Sequence, residues 1–296
     1  MSAQVRETQG ERWAKLSEHR SASAVKRARL DKNNGREPGA AIDGRLFVGS
    51  VEKGLQVLRA FYNRPRSLSL SDIADLTGMS RSSAQRFLYT LKALGYLRQD
   101  LETRRYTLSP RVLDFGFAYL RNDALVETAF PYLLEASKRT HETVNLTELD
   151  GPEVIYVSRF PSRNVISVDI VLGARLPAYC TAPGRIMLAH MDEEAARQLL
   201  ARTEITARTP YTEVDPERIL RRAAEARRRG YALSNQETFV GDISVAAPVR
   251  DHRGQVTAAV NVAVPHPRWS IATAEEQLAP VVVETARAIS KAIGGA

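Results

Sequence analysis

The segment from Ser69 to Gly95 constrains the fold more than any other part of the 296-residue chain, because it holds two closely spaced helix starts. Ser69-Leu-Ser-Asp72 has the spacing of a capping box, in which a serine and an acid three residues later satisfy the first N–H groups of a helix. Gly78 can end this short helix in a left-handed conformation, and Ser80 can cap the next one. The pattern predicts two helices joined by a tight turn.

The apolar residues of the second helix recur at helical spacing and predict one buried stripe: Ala84, Phe87, Leu88, Leu91 and Leu94. After Gly95, residues 96–98 and 106–108 are predicted to be two short strands with a polar tip between them. An earlier helix is predicted from its cap, Ser50, to the residues before Pro65. Helix, short helix, turn, helix and hairpin is the order of a winged helix-turn-helix.

The whole chain has a net charge of +8, and its positive charge is concentrated in the first third. Residues 1–45 hold 10 lysines and arginines against 6 acids, residues 46–110 hold 10 against 5, and residues 111–296 hold 22 against 23. This asymmetry favours a polyanionic partner for the N-terminal part. Residues 1–45 show no lasting periodicity and are predicted to be a disordered basic tail.

The exposed face of the third helix predicts contacts with double-stranded DNA. The early residues of the second helix of a helix-turn-helix reach base edges, where arginine suits guanine, glutamine suits adenine and serine suits bases or phosphates. Base or adjacent phosphate contacts are predicted for Ser82, Ser83, Gln85 and Arg86. Phosphate contacts, or minor-groove contacts for the pair in the hairpin, are predicted for Arg81, Arg104 and Arg105.

The rest of the chain alternates helical and strand patterns. Ser109-Pro110 starts a helix through Leu120 that can link two domains. Helices are predicted at 125–141, 181–191, 192–202, 216–230 and 273–293, and strands at 143–149, 154–158, 165–171, 243–249 and 256–264. Helices at both ends and strands paired by hairpins indicate an α+β domain with a largely antiparallel sheet. The predicted organisation is a tail at 1–45, a winged helix-turn-helix DNA-binding domain at 46–109, a linker helix at 110–122 and a C-terminal domain at 123–296.

Four stretches in chain order resemble the IclR family of bacterial transcription regulators. They are the opening helix Ser50–Phe61, the helix-turn-helix Ile73–Leu88, the effector-domain motif Leu176–Ala189 and the signature Glu237–Val249. The likeness runs from about residue 46 to 293. Residues 164–168 and 176–181 look most like the branch that regulates aromatic-acid catabolism, the protocatechuate and 4-hydroxybenzoate regulators.

The resemblance implies a homodimer or a dimer of dimers on a palindromic operator. It also implies that residues 123–296 form a GAF-like α/β domain that oligomerises and binds a small organic acid. Pocket positions carry over from the family as Thr181, Ala182, Pro183, Ser234, Ser244 and Asn261. Tyr179, on the same loop, can line the pocket or pack as a core aromatic.

Physical chemistry supports these positions, with an alternative for each. Thr181 lies where extended chain gives way to a helix, and free N–H groups there can hold a carboxylate. Ser244 and Asn261 lie among Val and Ala on predicted strands, where a polar side chain needs a partner. The alternative is that neighbouring backbone satisfies each of them. Pro183 stands where the family often has a small residue, and it removes one N–H donor.

Cysteine and histidine usage argues against other classes of site. The single cysteine, Cys180, excludes an internal disulfide and a cysteine-rich zinc site, and the five histidines form no His-x-x-x-His pair. No catalytic residue, metal or cofactor is therefore predicted. The chain has no apolar run long enough for a membrane helix and no secretory region at its N-terminus, so a cytoplasmic protein without a membrane partner is expected.

The sequence therefore predicts a transcription regulator, and the resemblance implies that a small aromatic or related carboxylic acid controls it. Two alternatives stay open. One is a DNA-binding regulator that needs no ligand and whose C-terminal domain only oligomerises. The other is an enzyme in which Cys180 or a carboxylate acts on a small acid.

Overall fold

The computed structural model describes residues 43–62, 66–162 and 170–295, and these form two compact units that divide between Asp114 and Phe115. Two predictions fall largely outside the described residues: the tail at 1–45, apart from residues 43–45, and residues 165–169 of the strand predicted at 165–171. Ile170 and Val171 are described and have no regular secondary structure.

The first unit is a winged helix-turn-helix, as predicted. Its elements are α1 (Gly49–Arg59), α2 (Leu70–Thr77), α3 (Arg81–Ala93), β1 (Leu97–Gln99) and β2 (Tyr106–Leu108), followed by a 3-10 turn (Pro110–Val112). The strands pair antiparallel, and Leu68 forms an isolated bridge with Tyr106 that ties the start of α2 to the hairpin.

Local caps fix the two helices of the motif. The Ser69 hydroxyl accepts from the Asp72 N–H at 3.1 Å, and the Asp72 carboxylate accepts from the Ser69 N–H at 2.8 Å, which completes the capping box. Gly78 has φ of 68° and ends α2. Ser80 accepts from the Ser83 N–H at 3.2 Å at the start of α3. The predicted cap of α1 at Ser50 is wrong, because the N-cap residue is Val48, two residues earlier, and it makes no side-chain cap.

The second unit combines helices with one large sheet. Its strands are β3 (Thr143–Asp150), β4 (Glu153–Phe160), β5 (Arg175–Pro177), β6 (Ala232–Asn235), β7 (Asp242–Arg250) and β8 (Val256–Pro265). Its helices are α5 (Ala124–Thr140), α6 (Ala182–Leu188), α7 (Glu193–Ala201), α8 (Pro216–Arg229) and α9 (Ile271–Ala292). Helix α4 (Leu113–Asn122) contains the division between the units, so the predicted linker at 110–122 begins in one unit and ends in the other.

The sheet has the strand order β5-β4-β3-β8-β7-β6, with every neighbouring pair antiparallel. Helices α5 and α9 pack on one face through residues such as Leu133 and Val282, and α6, α7 and α8 pack on the other through residues such as Ile186 and Ile219. Helices on both faces of a curled antiparallel sheet give the GAF-like α/β domain that was predicted. Strands β5 and β6 were not predicted, because alternation cannot be read from three or four residues.

The first turn of α6 is packed so closely against the preceding chain that Gly184 has no room for a side chain. An added Cβ at Gly184 would overlap the main chain of Ala178, whose carbonyl carbon would lie 2.6 Å away. Helix α6 is therefore pressed against the 3-10 turn Ala178–Cys180 that precedes it. It is also shorter than the helix predicted at 181–191.

Replacing Gly184 with alanine should destabilise the second unit by about 1–3 kcal/mol, because the main chain must move to admit the methyl group. Urea denaturation measures the loss. Gly116→Ala in α4 is the control, since nothing lies within 4 Å of an added Cβ there. That change should raise stability by up to about 1 kcal/mol through helix propensity. Equal effects from the two substitutions would contradict the tight approach at Gly184.

Candidate functional site

The outer face of α3 presents the side chains that sequence analysis assigns to DNA. Arg81, Ser82, Gln85 and Arg86 are exposed, and Ser83, whose N–H bonds to the cap, is half-buried. Among the described residues, no carboxylate pairs with either arginine of α3. This face can therefore offer two cations, one amide and two hydroxyls to a groove.

The two arginines of the hairpin have different surroundings. Arg104 is exposed at the tip, with φ of 57°. The Arg105 guanidinium donates to the Ser67 hydroxyl at 3.0 Å, to the Ser67 carbonyl at 2.9 Å and to the Asp72 carboxylate at 3.0 Å. The Ser69 N–H, with a smaller contribution from Arg105, lowers the pKa of Asp72. Arg105 thus fastens the hairpin to α2, and its predicted DNA contact stays a prediction.

The N-terminus of α6 is buried and largely satisfied from within. The Thr181 hydroxyl accepts from the Gly184 N–H at 3.2 Å and donates to the Pro177 carbonyl at 3.1 Å. Ala182 and Pro183 are buried beside it. The hydroxyl of Tyr179 donates to the Thr206 carbonyl at 2.7 Å and accepts from the Thr206 N–H at 3.2 Å, so this ring anchors a neighbouring loop.

The carbonyl of Cys180 joins the turn before α6 to the edge of the sheet. It accepts from the Ser234 hydroxyl at 3.2 Å and from the Thr238 hydroxyl at 2.8 Å. Ser234 thereby lies next to the turn, and its predicted contact with an effector stays a prediction. Burial raises the pKa of the Cys180 thiol to about 11, so it is protonated at neutral pH and is a poor nucleophile.

Ser244 and Asn261 meet on the face of the sheet that packs against α6. The Asn261 side-chain amide donates to the Ser244 hydroxyl at 3.0 Å, and both residues are buried. The two side chains therefore partly satisfy each other, whereas the alternative interpretation requires hydrogen bonds to neighbouring backbone. The Asn261 side-chain oxygen, however, has no hydrogen-bond partner among the described residues.

Two residues on this face, Asn145 and Asp242, were not predicted from the sequence. Asn145 lies directly opposite Asn261 on β3, and Arg159 donates to its side-chain oxygen at 3.3 Å. Burial raises the pKa of Asp242, at the start of β7, to about 7, although the charge of Arg159 lowers it. The alternation in Thr143-Val-Asn-Leu-Thr147 places polar side chains on one face, and Asn145, like Ser244, is a buried polar side chain that needs a partner.

A buried ion pair holds α6 against the segment that leads into β7. Two oxygens of Glu237 accept from the Arg185 guanidinium at 2.9 and 2.8 Å, and both side chains are 5% exposed. Arg185 also donates to the Leu233 carbonyl, and Arg222 of α8 approaches Glu237 at 3.2 Å. The pair fixes the position of Ser234 and Thr238 relative to the turn at Cys180.

Two further properties concern the described residues alone. Helices long and apolar enough to cross a membrane are absent from them. They contain no group of three or more His, Cys, Asp or Glu side chains that could hold a metal ion.

Two family models cover most of the described chain. The model of the IclR helix-turn-helix domain matches residues 50–101, and that of the C-terminal domain of the bacterial transcriptional regulator IclR matches residues 117–291. These ranges contain the faces of α3 and of the sheet that are described above.

Individual relatives agree with the family models. The Pca regulon regulatory protein of Pseudomonas putida is 38% identical over 81% of this chain and 82% of its own. The p-hydroxybenzoate hydroxylase transcriptional activator of Acinetobacter baylyi is 34% identical over 73% of this chain and 80% of its own. The crystal structure of an IclR transcriptional regulator from Alicyclobacillus acidocaldarius matches with a TM-score of 0.73 at 27% identity, over 84% of this chain and 100% of that one.

The carboxyl of Asp242 should make the second unit less stable as pH rises. Its pKa is raised in the folded chain, so its stabilising contribution is complete below the ordinary value of 3.8 and is lost as pH approaches about 7. Urea denaturation of Asp242→Asn should therefore show greater stability than the native chain at pH 8 and no advantage at pH 4. The exposed Glu276→Gln on α9 is the control. Parallel pH profiles for Asp242→Asn and the native chain would contradict this assignment.

Proposed function

The chain belongs to the IclR family of bacterial transcriptional regulators, and on that premise we propose that a small aromatic acid, bound in its second unit, controls its activity on operator DNA. The observation that carries the proposal is that one chain has two surfaces of different kinds. One is an exposed cationic face on α3, and the other is a buried face of the sheet; among the described residues, the first has no acidic partner and the second has unsatisfied polar atoms.

The DNA contacts are proposed for the face of α3. In a helix-turn-helix the second helix enters the major groove with its N-terminal residues against the base edges. Ser82, Ser83, Gln85 and Arg86 would then read bases or adjacent phosphates, with phosphate contacts from Arg81, Arg104 and Arg105. Exposure of the α3 side chains and of Arg104 supports these roles, whereas Arg105 must keep or exchange its bonds to the Ser67 region. Such a regulator would act in the bacterial cytoplasm, where the DNA lies.

The effector is proposed to be an aromatic acid on the strength of the relatives. The chain is similar to a Pca regulon regulatory protein and to a p-hydroxybenzoate hydroxylase transcriptional activator. The proposed site comprises the face of the sheet that packs against α6, with Ser244, Asn261 and Ser234, and the turn at Thr181, Ala182 and Pro183. Tyr179 is proposed to border it, since its hydroxyl is engaged by Thr206.

A second copy of the chain is the proposed partner on a palindromic operator. Apolar side chains are exposed on α1 and the residues before it, and others are exposed on α4: Leu46, Val48, Val51 and Leu55, then Leu113, Phe115 and Phe117. Patches of this kind mark protein–protein contacts, because monomers rarely leave them open. Two winged helices in one dimer would address successive major grooves.

Thermal unfolding against a panel of acids tests the effector. The panel contains 4-hydroxybenzoate, protocatechuate, benzoate, succinate and adipate. One aromatic acid at about 100 times its Kd should raise the stability of the chain by about 2.7 kcal/mol, because it binds only the folded state. The same acid should change the affinity for operator DNA selected from random sequences. Tight operator binding without a response to any acid would instead favour the ligand-independent regulator.

Substitution of Arg86 by alanine tests base readout. If Arg86 contacts a base edge, the change should cost about 1–3 kcal/mol on the selected operator and relax the preference at one base pair. Arg98→Ala removes the same charge from an exposed position on β1 and is the matched control, for which any loss should be equal on all sequences. A uniform loss for Arg86→Ala across operators mutated at each base would identify it as a phosphate contact.

A further inference from the structure

The side chain of Asn145 is completely buried on β3, and its amide nitrogen has no hydrogen-bond partner among the described residues. Its orientation is fixed by Arg159, which donates to the side-chain oxygen at 3.3 Å. A guanidinium has only donors, so the Asn145 atom that faces it must be the oxygen. The amide nitrogen therefore faces away from Arg159 and remains a donor without an acceptor.

Asn261, directly opposite Asn145 on β8, is unsatisfied as well. Its amide nitrogen donates to Ser244, which leaves its oxygen without a partner among the described residues. Since a serine hydroxyl can donate or accept, the free atom of Asn261 can also be its nitrogen. In either orientation, the free atom of Asn261 can bond to a hydroxyl group of a ligand, because a hydroxyl both donates and accepts.

The two unsatisfied amides are neighbours on one face. Side chains directly opposite on antiparallel strands have Cβ atoms about 4.5–5.5 Å apart. The same face carries Tyr156, Ala246 and Ala259 into the core beneath α6. A buried donor without an acceptor is unfavourable, so a ligand that supplies the missing groups recovers that cost.

We propose that Asn145 determines effector specificity, binding the carboxylate of a hydroxy acid through its amide nitrogen while Asn261 binds a hydroxyl of the same ligand. This inference rests on the proposed function. Arg159 acts as a positioning residue, because it holds the Asn145 oxygen and so aims the nitrogen at the ligand. Its positive charge also offsets the charge of the acid. Charge-assisted hydrogen bonds to a carboxylate are stronger than neutral ones, so acids are favoured over their amides.

The variant Asn145→Asp tests the assignment with little change of shape. It keeps an oxygen towards Arg159 and replaces the amide nitrogen by a second oxygen. Titration calorimetry compares the binding of an aromatic acid with the binding of its primary amide. The first pair is 4-hydroxybenzoate and 4-hydroxybenzamide, and the acid that gives the largest stabilisation is then compared with its own amide. The full-length native chain should prefer the acid by at least about tenfold, the equivalent of one charge-assisted hydrogen bond. N145D should lose at least about tenfold in affinity for the acid and should prefer the amide.

Two further variants make the result specific. Thr147 lies on the same strand and face as Asn145, and its hydroxyl already bonds to the Ala259 carbonyl at 3.2 Å. The variant Thr147→Val should therefore bind the acid with an affinity within about twofold of that of the native chain. Asn145→Ala introduces no charge and should also lose the acid, without gaining the amide. Asn145→Ala replaces N145D in the comparison if N145D does not unfold cooperatively and is therefore not properly folded.

The outcomes separate this inference from the proposed function. A native chain that binds none of the acids overturns both. A native chain that binds the acid, together with N145D or Asn145→Ala binding it equally well, overturns the role of Asn145 and leaves the proposed function standing. A reversed preference in N145D supports the inference, because a purely structural role for Asn145 would weaken both ligands alike.

Discussion

The second unit depends on the buried ion pair between Arg185 and Glu237. Its two carboxylate oxygens and one guanidinium lie almost entirely out of water, where an isolated charge costs several kcal/mol and a paired one is tolerated only with good geometry. The bond to the Leu233 carbonyl and the approach of Arg222 supply further partners. This pair fixes the position of α6 relative to β6 and to the segment between β6 and β7. The proposed effector site lies between these same elements.

Much of the first unit could be predicted because its determinants are local. The capping box at Ser69, the left-handed Gly78 and the stripe through Leu88 act within a few residues, so the sequence shows them directly. The interaction of Arg105 with Ser67 and Asp72 could not be predicted. It joins residues 38 and 33 positions apart, and only the folded hairpin brings them together.

The second unit was predictable in class and less so in its details. Long hairpin strands such as β7 and β8 show their alternation, whereas β5 and β6 are too short to do so. Ser234 and Asn261 were chosen from a family resemblance, and the structure places them near the turn at Cys180 and beside Asn145, respectively. Asn145 was missed because no motif marks it. The local alternation indicates that Asn145 is a polar residue on a buried face, but its proposed role depends on Arg159 lying on one side of its amide, which follows from strand register.

The close approach at Gly184 also determines how this domain can move. Because the main chains of α6 and Ala178 are in contact, the helix cannot slide along or rotate against the turn that precedes it. Turn and helix are therefore packed as one unit, with their close approach at Gly184. A displacement at Thr181 would then also move Leu188 at the other end of the helix, about 10 Å away at 1.5 Å per residue.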